Sequence, residues 1–533
     1  MPETRLGPAR GASIVGLCAL TLGLGLGGSG RLTYHEAFVA QAAREMIARG
    51  AVLVPTIDGR PWLEKPPLAA WLAAGSGRLS GEVTEFAARA PSALAATLLA
   101  LGVATFAARR YGSTVGWLAG LIQATTAWTI LRGRLAEADI LLACLVAWAM
   151  VAFDRIRSRG PGAGARSGEG ADSRPDADRA WIWAFFAILG ASALAKGVGF
   201  GAVLVLSAVA AVLVWDRDRA AARALADPRG WIAAAALALT WPALVALRHP
   251  EALSLWTLHV TDRLAARPEH FIGGPWWQYG PAVLLQTMPW TPLAVVGAWP
   301  SLLRARVRRG GGDRLLWAWA VVPVLVLSAA TVKNGHYAIH ALAPWSIWAA
   351  LGLARAGDRL GGRGWPAWRA RRAAVGLFLG LGLASGLGHL LLGPPLDRRG
   401  AEWASCEAIG RSLDPASPLA FLYEDWDRKP YPTPFGPVPH DWAVRLFYLR
   451  RPATWRQGVE GLQATPPAAG HAPYAVLGRD RDLPSLRRIG HVEVLRRGPA
   501  IRFDRTFTLF RVEPFAPPIA TAGAGRAGRP IAR

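Results

Sequence analysis

Cysteine and lysine are both scarce in this chain of 533 residues. The three cysteines are Cys18, Cys144 and Cys406. They have no zinc-type spacing and are too few for a disulfide framework, so we expect no structural disulfide. Of the 60 basic residues, the four lysines are Lys65, Lys196, Lys333 and Lys429. Arginine supplies nearly all the positive charge, and each lysine is therefore a candidate for a specific role.

Charged residues are missing from the central part of the long apolar stretches. The chain is 52% hydrophobic, and stretches of roughly 16–24 apolar residues are long enough to cross a hydrocarbon core of about 30 Å. We predict an all-α polytopic membrane domain of about eleven transmembrane helices. Its predicted spans are 12–29, 90–108, 113–130, 138–153, 180–195, 198–215, 231–247, 279–303, 315–331, 338–354 and 373–393. The lack of ionisable groups at mid-span argues against an ion-coupled transporter.

The formal net charge of +24 has a pattern along the chain. The arginines concentrate in the connections 109–110, 155–179, 217–229, 304–309 and 355–372, which all fall on one side of the membrane. The positive-inside rule makes that side cytoplasmic, together with the N-terminus. Membrane topology and lipid contact therefore explain the excess of basic residues better than nucleic-acid binding does. We interpret the first apolar stretch as an uncleaved span rather than a signal peptide.

The other side holds the long first loop 30–89, two shorter loops and a C-terminal tail. We predict a transmembrane domain at 1–393, a small soluble α/β extracytoplasmic domain at 394–515 and a disordered tail at 516–533. Predicted strands are 418–423, 474–478, 491–495 and 506–512, and residues 440–450 predict a short helix. The cytoplasmic stretch 158–178 is also predicted to be disordered.

The first loop contains two predicted interfacial helices with an extended segment between them. The helix that begins near Tyr34 is amphipathic, and the second covers 68–79. In GRPWLEKPP, the two prolines after Lys65 fix its position at the entry of the second helix. At the start of the first helix, His35–Glu36 is either a capping pair or a general base at the membrane surface.

Three of the lysines, Lys65, Lys196 and Lys333, fall on the outer face of the predicted membrane domain. A lysine ammonium is a compact charge with three donors, which suits a phosphate oxygen. Simple snorkelling at helix ends is the alternative interpretation. Three lysines on one face, in a chain that otherwise uses arginine, favour a lipid phosphate.

These residues match a family in order. The chain resembles the GT-C integral-membrane glycosyltransferases of the protein-mannosyltransferase and lipid A aminoarabinose-transferase group, which use polyprenyl-phosphate sugars as donors. The resemblance covers roughly residues 33–345, and Glu64-Lys65-Pro66-Pro67-Leu68 is its most specific element. The other matching elements are His35-Glu36-Ala37-Phe38, Arg44-Glu45-Met46, Pro55, Arg134 through Asp139, Lys196-Gly197, His259 with Arg263, Pro289-Trp290-Thr291, and Ser328 through Lys333 to Tyr337.

The resemblance implies a membrane glycosyltransferase with a polyprenyl-phosphate donor and an extracytoplasmic acceptor. The leaving lipid phosphate needs cations, and the acceptor hydroxyl needs a base. The implied phosphate-binding residues are Lys65, Arg134, Lys333 and Lys196. The implied base is Glu36 or, second, His35; Glu64 and His259 are implied ligands of a divalent metal. Asp139, Arg263 and Tyr337 are further implied site residues.

The sequence departs from the family at the residues closest to the chemistry. The family's Asp-Glu pair is His35-Glu36 here, the arginine two residues on is Phe38, and the glutamate before His259 is Leu258. Three other functions stay open: a ligase or polymerase of lipid-linked sugars, a lipid-linked sugar transporter or flippase, and a non-catalytic relative that binds lipid phosphate.

Overall fold

The structure, a computed structural model, describes residues 5–158, 175–257, 274–362, 366–397, 400–414, 416–423, 431–433, 436–438, 442–467, 472–498 and 507–515. The chain divides into two compact units, Met1–Arg398 and Arg399–Arg533. Of the two stretches predicted to be disordered, all of 516–533 and most of 158–178 lie outside the described residues, although a helix begins at Pro175.

The first unit is helical. Its helices are α1 Pro8–Cys18, α2 Tyr34–Arg49, α3 Leu68–Ser80, α4 Glu85–Tyr111, α5 Ser113–Thr125, α6 Ala127–Gly133, α7 Ala138–Arg157, α8 Pro175–Lys196, α9 Phe200–Asp216, α10 Arg219–Leu225, α11 Pro228–Arg248, α12 Tyr279–Gln286, α13 Thr291–Val307, α14 Gly312–Ala329, α15 Leu342–Gly361 and α16 Ala367–Leu396. A π-helical turn, Ala19–Gly23, continues α1, and a 3-10 turn, Gly335–Ala341, leads into α15.

Six helices in the described part of the chain are long and apolar enough to cross a membrane. They are α4, α8, α11, α14, α15 with its 3-10 turn, and α16. Each of the eleven predicted stretches coincides with a helix or a helix pair. The prediction of a multi-pass helical membrane protein is confirmed, and the count of eleven spans stays a prediction.

The last helix, α16, lies against the first through glycines. A Cβ atom at Gly382 would meet Leu17, one at Gly386 would meet the Leu20 carbonyl, and one at Gly393 would meet Ser29. These positions share one face of α16, so the two helices approach as closely as small residues allow in membrane proteins. This contact covers the π-helical turn.

Helix α2 is more deeply buried than an amphipathic helix that lies at an interface. Residues 36–43 are buried around the whole helix, which packs against α3, α4 and strand β1 (Thr56–Ile57). Strands β1 and β2 (Arg60–Pro61) form a two-residue hairpin whose turn residues, Asp58 and Gly59, both have positive φ. An Asp-Gly pair favours this turn because both residues tolerate the left-handed conformation.

One end of the helix bundle is rich in arginine, and we call it the arginine-rich end. Asp216 at the end of α9 pairs with Arg157 and lies 2.7 Å from Arg314. Asp154 lies 2.6 Å from Arg110, and Asp313 lies 2.8 Å from Arg304. The predicted cytoplasmic arginines near these helix ends therefore include several that hold helices together through carboxylates.

The second unit contains a mixed five-stranded sheet. The strands of this unit are β3 Leu419–Tyr423, β4 Tyr431–Thr433, β5 Gly436–Val438, β6 Thr454–Gln457, β7 Tyr474–Arg479, β8 Gly490–Arg497 and β9 Phe507–Pro514. The order in the sheet is β6-β3-β7-β9-β8. Strands β3, β6 and β7 are parallel, and β9 is antiparallel to both β7 and β8. The helices are α17 Gly400–Ser412, α18 Trp442–Leu449, α19 Gly458–Ala464 and α20 Leu483–Leu486, with a 3-10 turn at Asp480–Asp482.

The predicted strands correspond to β3, β7, β8 and β9, and the predicted helix to α18. The short strand β6 and the hairpin β4–β5 were not predicted. Strand β6 has the sequence TWRQ, which is too short and polar to give an apolar alternation. Its position is fixed by pairing with β3 rather than by its own pattern.

Candidate active site

Asp139 and Lys196 form the centre of a charged cluster at the end of the bundle opposite the arginine-rich end. Asp139 lies in the first turn of α7 and is 8% exposed, and Lys196 is the last residue of α8. The Lys196 ammonium pairs with Oδ1 of Asp139 and lies 4.1 Å from the centre of the Tyr337 ring. A buried carboxylate at a helix N-terminus is stabilised by the dipole and by this cation.

His336 lies on the other side of Asp139. Its Nε2 is 3.8 Å from Oδ2 of Asp139, and its side chain is 29% exposed. The imidazole stands edge-on to Tyr337, with ring centres 4.6 Å apart. The charges that act on His336 come from Asp139, Lys196, Arg132 and Lys65, so these side chains form one electrostatic group.

Lys65 lies at the entry of α3, as the two prolines predict. The hairpin before it is anchored by Glu45, which accepts hydrogen bonds from the Asp58 and Gly59 amides at 2.6 and 2.9 Å. The Trp256 indole donates to the Leu63 carbonyl at 2.7 Å. These bonds hold the Lys65 backbone in place. Within the described part of the chain, the half-buried Lys65 ammonium has no carboxylate partner.

Glu64, the neighbour of Lys65, has a buried carboxylate oxygen. Its Oε2 has no hydrogen-bond partner among the described residues. A buried, unpaired carboxylate oxygen is costly, so this atom is suited to a cation or a donor from outside the described chain. The second residue implied for a metal, His259, lies outside the described residues, as does Arg263.

Arg132 and Glu137 face each other across the short loop between α6 and α7. Both oxygens of Glu137 accept from Arg132 Nη1, at 2.9 and 2.7 Å, and the Arg132 guanidinium lies 4.8 Å from the Trp128 ring centre. Burial and the nearby Asp139 carboxylate raise the pKa of Glu137 to about 7, against the opposing effect of Arg132. Glu137 therefore changes charge near neutral pH.

We call these residues the loop-end cluster: Lys65, Arg132, Glu137, Asp139, Lys196, His336 and Tyr337. Sequence reasoning named Lys65, Asp139, Lys196 and Tyr337 as site residues but missed Arg132, Glu137 and His336. The signal was present, since the missed residues lie within or next to the matching stretches Arg134–Asp139 and Ser328–Tyr337. The sequence did not predict that these side chains lie close together, because the fold rather than the sequence spacing brings α6, α7 and the 3-10 turn together.

Glu36 belongs to a different network. It is 1% exposed and forms a capping box with Thr33 at the start of α2. Its Oε1 accepts from Arg89 at 2.7 Å and from the Ala136 amide at 3.1 Å, and its Oε2 accepts from the Thr33 amide at 2.9 Å. These contacts give Glu36 a structural role and leave its oxygens poorly available as a base. His35 lies on the exposed side of the same turn, against Tyr34.

Arg134 lies apart from the loop-end cluster. One of its nitrogens donates to the Thr21 and Leu22 carbonyls of the π-helical turn, at 3.1 and 3.0 Å. The side chain is buried, and its Nε and Nη2 have no hydrogen-bond partner in the described chain. Burial, and secondarily the charge of Arg89, lower the pKa of Arg134 to about 10, so the guanidinium is charged at neutral pH.

Lys333 is held by backbone groups. Its ammonium donates to the Gly274 carbonyl at 3.1 Å and to the Ala330 carbonyl at 2.6 Å. Of the four lysines and arginines implied for the donor phosphate, the structure therefore brings together Lys65 and Lys196. Arg134 and Lys333 occupy separate positions.

The described residues contain no group of three or more His, Cys, Asp or Glu side chains that could hold a metal ion. Glu64 offers one oxygen, and the remaining implied ligand is outside the described chain. A metal requirement therefore stays a prediction.

Comparison with solved structures identifies the fold. The chain superposes on the crystal structure of ArnT from Cupriavidus metallidurans bound to undecaprenyl phosphate with a TM-score of 0.71 and 19% sequence identity, over 96% of this chain and 98% of that one. The first unit has the GT-C fold. The apo oligosaccharyltransferase of Archaeoglobus fulgidus is a more distant GT-C neighbour, with a TM-score of 0.54 and 12% identity over 85% of this chain.

Sequence comparisons agree with the GT-C fold. Residues 64–246 match the family model of dolichyl-phosphate-mannose-protein mannosyltransferases. The chain is 31% identical over 318 residues to the undecaprenyl phosphate-alpha-4-amino-4-deoxy-L-arabinose arabinosyl transferase of Aeromonas salmonicida, covering 58% of this chain and 53% of that protein. The enzyme of the same name from Edwardsiella ictaluri is 30% identical over 328 residues. The aligned region thus spans about half the length of these relatives.

Proposed function

We propose that this protein is an integral-membrane glycosyltransferase that transfers a sugar from a polyprenyl-phosphate donor to an extracytoplasmic acceptor. The observation that carries the proposal is the half-buried Lys65, which has no carboxylate partner among the described residues and lies within electrostatic reach of His336 in the loop-end cluster. An ammonium without a carboxylate in a partly buried site favours an anionic ligand.

The charges of the loop-end cluster suit a departing lipid phosphate. Lys65, Arg132 and Lys196 are cations, while Asp139 and Glu137 are carboxylates, and Glu137 is only partly ionised at neutral pH. The cluster is therefore net positive. Fixed positive charge stabilises the negative charge that grows on the phosphate as the sugar leaves. Lys65 is the first proposed phosphate contact, and Lys196 is the second. Contacts from Arg134 and Lys333 remain predictions.

The names of the relatives support this donor class. The curated relatives are arabinosyl transferases of undecaprenyl-phosphate aminoarabinose, and the solved ArnT contains undecaprenyl phosphate. The segment that matches the mannosyltransferase family model, residues 64–246, includes Lys65, Asp139 and Lys196.

The proposed location is the cell inner membrane. The arginine-rich end faces the cytoplasm with the N-terminus, as the positive-inside rule requires. The loop-end cluster and the C-terminal unit are extracytoplasmic in this orientation. A protease or thiol-labelling test of the two termini in intact cells checks it.

Two chemical roles remain predictions within this proposal. The first is a divalent metal that Glu64 would hold, which would neutralise the buried oxygen and supply positive charge for the donor phosphate; His259 is the predicted second ligand. The second is a base in the first loop, either Glu36 or His35. Neither is needed for the phosphate-binding role of Lys65.

The lipid that accompanies the purified protein tests the proposal. Mass spectrometry of the detergent extract is expected to detect a polyprenyl phosphate or its sugar, and addition of sugar donor to the protein with membrane acceptors is expected to release polyprenyl phosphate. Bound polyprenyl phosphate without any transfer would favour a non-catalytic lipid-phosphate-binding protein. Movement of the intact donor across proteoliposomes without transfer would favour a flippase.

A further inference from the structure

We propose that His336, oriented by Asp139, is the base that removes the proton from the acceptor hydroxyl. This inference rests on the proposed function and adds a catalytic residue to it.

The need for another base follows from the contacts of Glu36. Both of its oxygens accept hydrogen bonds from Arg89, and they also accept from the Thr33 and Ala136 amides. Protonation of Glu36 would remove the buried negative charge that faces Arg89, which is unfavourable. A base must be able to accept a proton and lose it again in every turnover, so this network disfavours Glu36.

His336 has the geometry of a base with an orienting carboxylate. Its Nε2 lies 3.8 Å from Oδ2 of Asp139, while Oδ1 of the same carboxylate is held by Lys196. A carboxylate beside one ring nitrogen favours the tautomer with the proton on that nitrogen and leaves the other nitrogen as the acceptor. The distance is longer than a hydrogen bond, and such contacts commonly tighten when substrate binds.

His336 is also accessible, unlike the neighbouring histidine. Its side chain is 29% exposed, whereas His340, one turn further on, is 2% exposed. The charged groups that act on His336 are Asp139, Lys196, Arg132 and Lys65. The proposed base and the proposed phosphate contact, Lys65, therefore lie in one cluster, as a transfer reaction requires.

The bond changes balance without any co-reactant. The acceptor oxygen attacks the anomeric carbon of the sugar, and its proton passes to the unprotonated nitrogen of His336. The bond between the anomeric carbon and the phosphate oxygen breaks, and its electron pair stays on the phosphate beside Lys65. Release of the proton from the imidazolium to solvent restores the starting state.

Replacement of His336 by alanine, with imidazole rescue, tests the inference. Wild-type protein and His336→Ala are compared for release of undecaprenyl phosphate from undecaprenyl phosphate-linked aminoarabinose or mannose, with host membranes as acceptor. Transfer is expected to fall about a hundredfold, the usual contribution of a general base. Added imidazole is expected to restore part of it, and affinity for undecaprenyl phosphate is expected to stay within about threefold of wild type. The matched control is His249→Ala, a part-exposed histidine at the end of α11.

Two results would overturn the inference alone: transfer by His336→Ala close to the wild-type rate, or a folded but inactive variant that imidazole cannot rescue. A parallel His35→Ala variant that loses transfer and regains it with imidazole would assign the base to His35 instead. A wild-type protein that binds undecaprenyl phosphate but transfers neither sugar would overturn the proposed function, and this inference with it.

Discussion

Charged side chains have different surroundings at the two ends of the membrane unit. At the arginine-rich end, each buried carboxylate lies against arginine: Asp216 against Arg157 and Arg314, and Asp313 against Arg304. At the loop end, Lys65 has no carboxylate partner in the described chain, and Glu64 has an unpaired buried oxygen. The two ends are about 30 Å apart along α7, at 1.5 Å per residue.

The difference separates charges that stabilise the fold from charges that are available to a ligand. Ion pairs between helices fix where helix ends meet, whereas a cation left without a carboxylate is stabilised when an anion binds. Ion pairs also occur at the loop end, so the two ends differ at Lys65 and Glu64 rather than in every charge. The loop-end pairs include Glu36 with Arg89, Asp139 with Lys196 and Glu137 with Arg132.

The largest effect on stability is expected from Asp216→Asn. The change removes the carboxylate shared by Arg157 and Arg314 and leaves two buried guanidinium groups with weaker partners. Breaking a buried pair in this way typically costs about 3–5 kcal/mol in the free energy of unfolding. Thermal or denaturant unfolding in detergent measures it. The exposed Arg308→Ala at the same end is the control, and equal stability of the two variants would contradict a structural role for this network.

A loss of about 3 kcal/mol is expected from Glu36→Gln, because Arg89 would lose its buried partner. Loss of transfer should then follow the loss of folded protein. His35→Asp, on the exposed side of the same turn, is expected to leave stability nearly unchanged. If Glu36→Gln were as stable as wild type yet inactive, Glu36 would belong with the catalytic residues after all.

Lys65→Ala is expected to lower activity without lowering stability. Transfer should fall about a hundredfold, which corresponds to about 2.7 kcal/mol of transition-state stabilisation. The free energy of unfolding should change by no more than about 0.5 kcal/mol, as for a surface substitution. Undecaprenyl phosphate binding and sugar transfer are the measurements, and Arg308→Ala again serves as the control. Normal transfer by a well-expressed Lys65→Ala protein would remove Lys65 from the mechanism.

The sequence predicted the elements of this fold better than their contacts. Apolar length placed the membrane helices, and the prolines after Lys65 predicted its position at the entry of a helix, because these signals are local. The Asp-Gly turn of the β1–β2 hairpin also had a local cause in the backbone freedom of the two residues.

The partners of the charged residues could not be predicted in the same way. Glu36 meets Arg89 across 53 positions, and Arg134 meets the carbonyls of a π-helical turn more than 100 positions away. No periodicity encodes such distances. Resemblance to a family grouped Arg134 with Lys65, whereas the fold places the Arg134 guanidinium against the π-helical turn.

The smallest effect is expected at Glu137, and it depends on pH. The pKa of Glu137 is raised to about 7 from an ordinary value of 4.5. Between these two pH values the folded protein retains a proton that the unfolded chain has released, so the contribution of Glu137 to stability falls as pH rises and levels off above pH 7. The Glu137→Gln variant lacks this pH dependence because glutamine has no titratable carboxyl group.

Melting temperatures of wild type and Glu137→Gln, measured from pH 5 to pH 8, test this effect. The variant should gain stability relative to wild type as pH rises, whereas Arg308→Ala should follow wild type throughout. Parallel curves for wild type and Glu137→Gln would mean that Arg132 holds the carboxylate ionised over the whole range. The ion pair between Glu137 and Arg132 would then be as permanent as the pairs at the arginine-rich end, and the cluster would have a smaller net positive charge for a lipid phosphate at neutral pH.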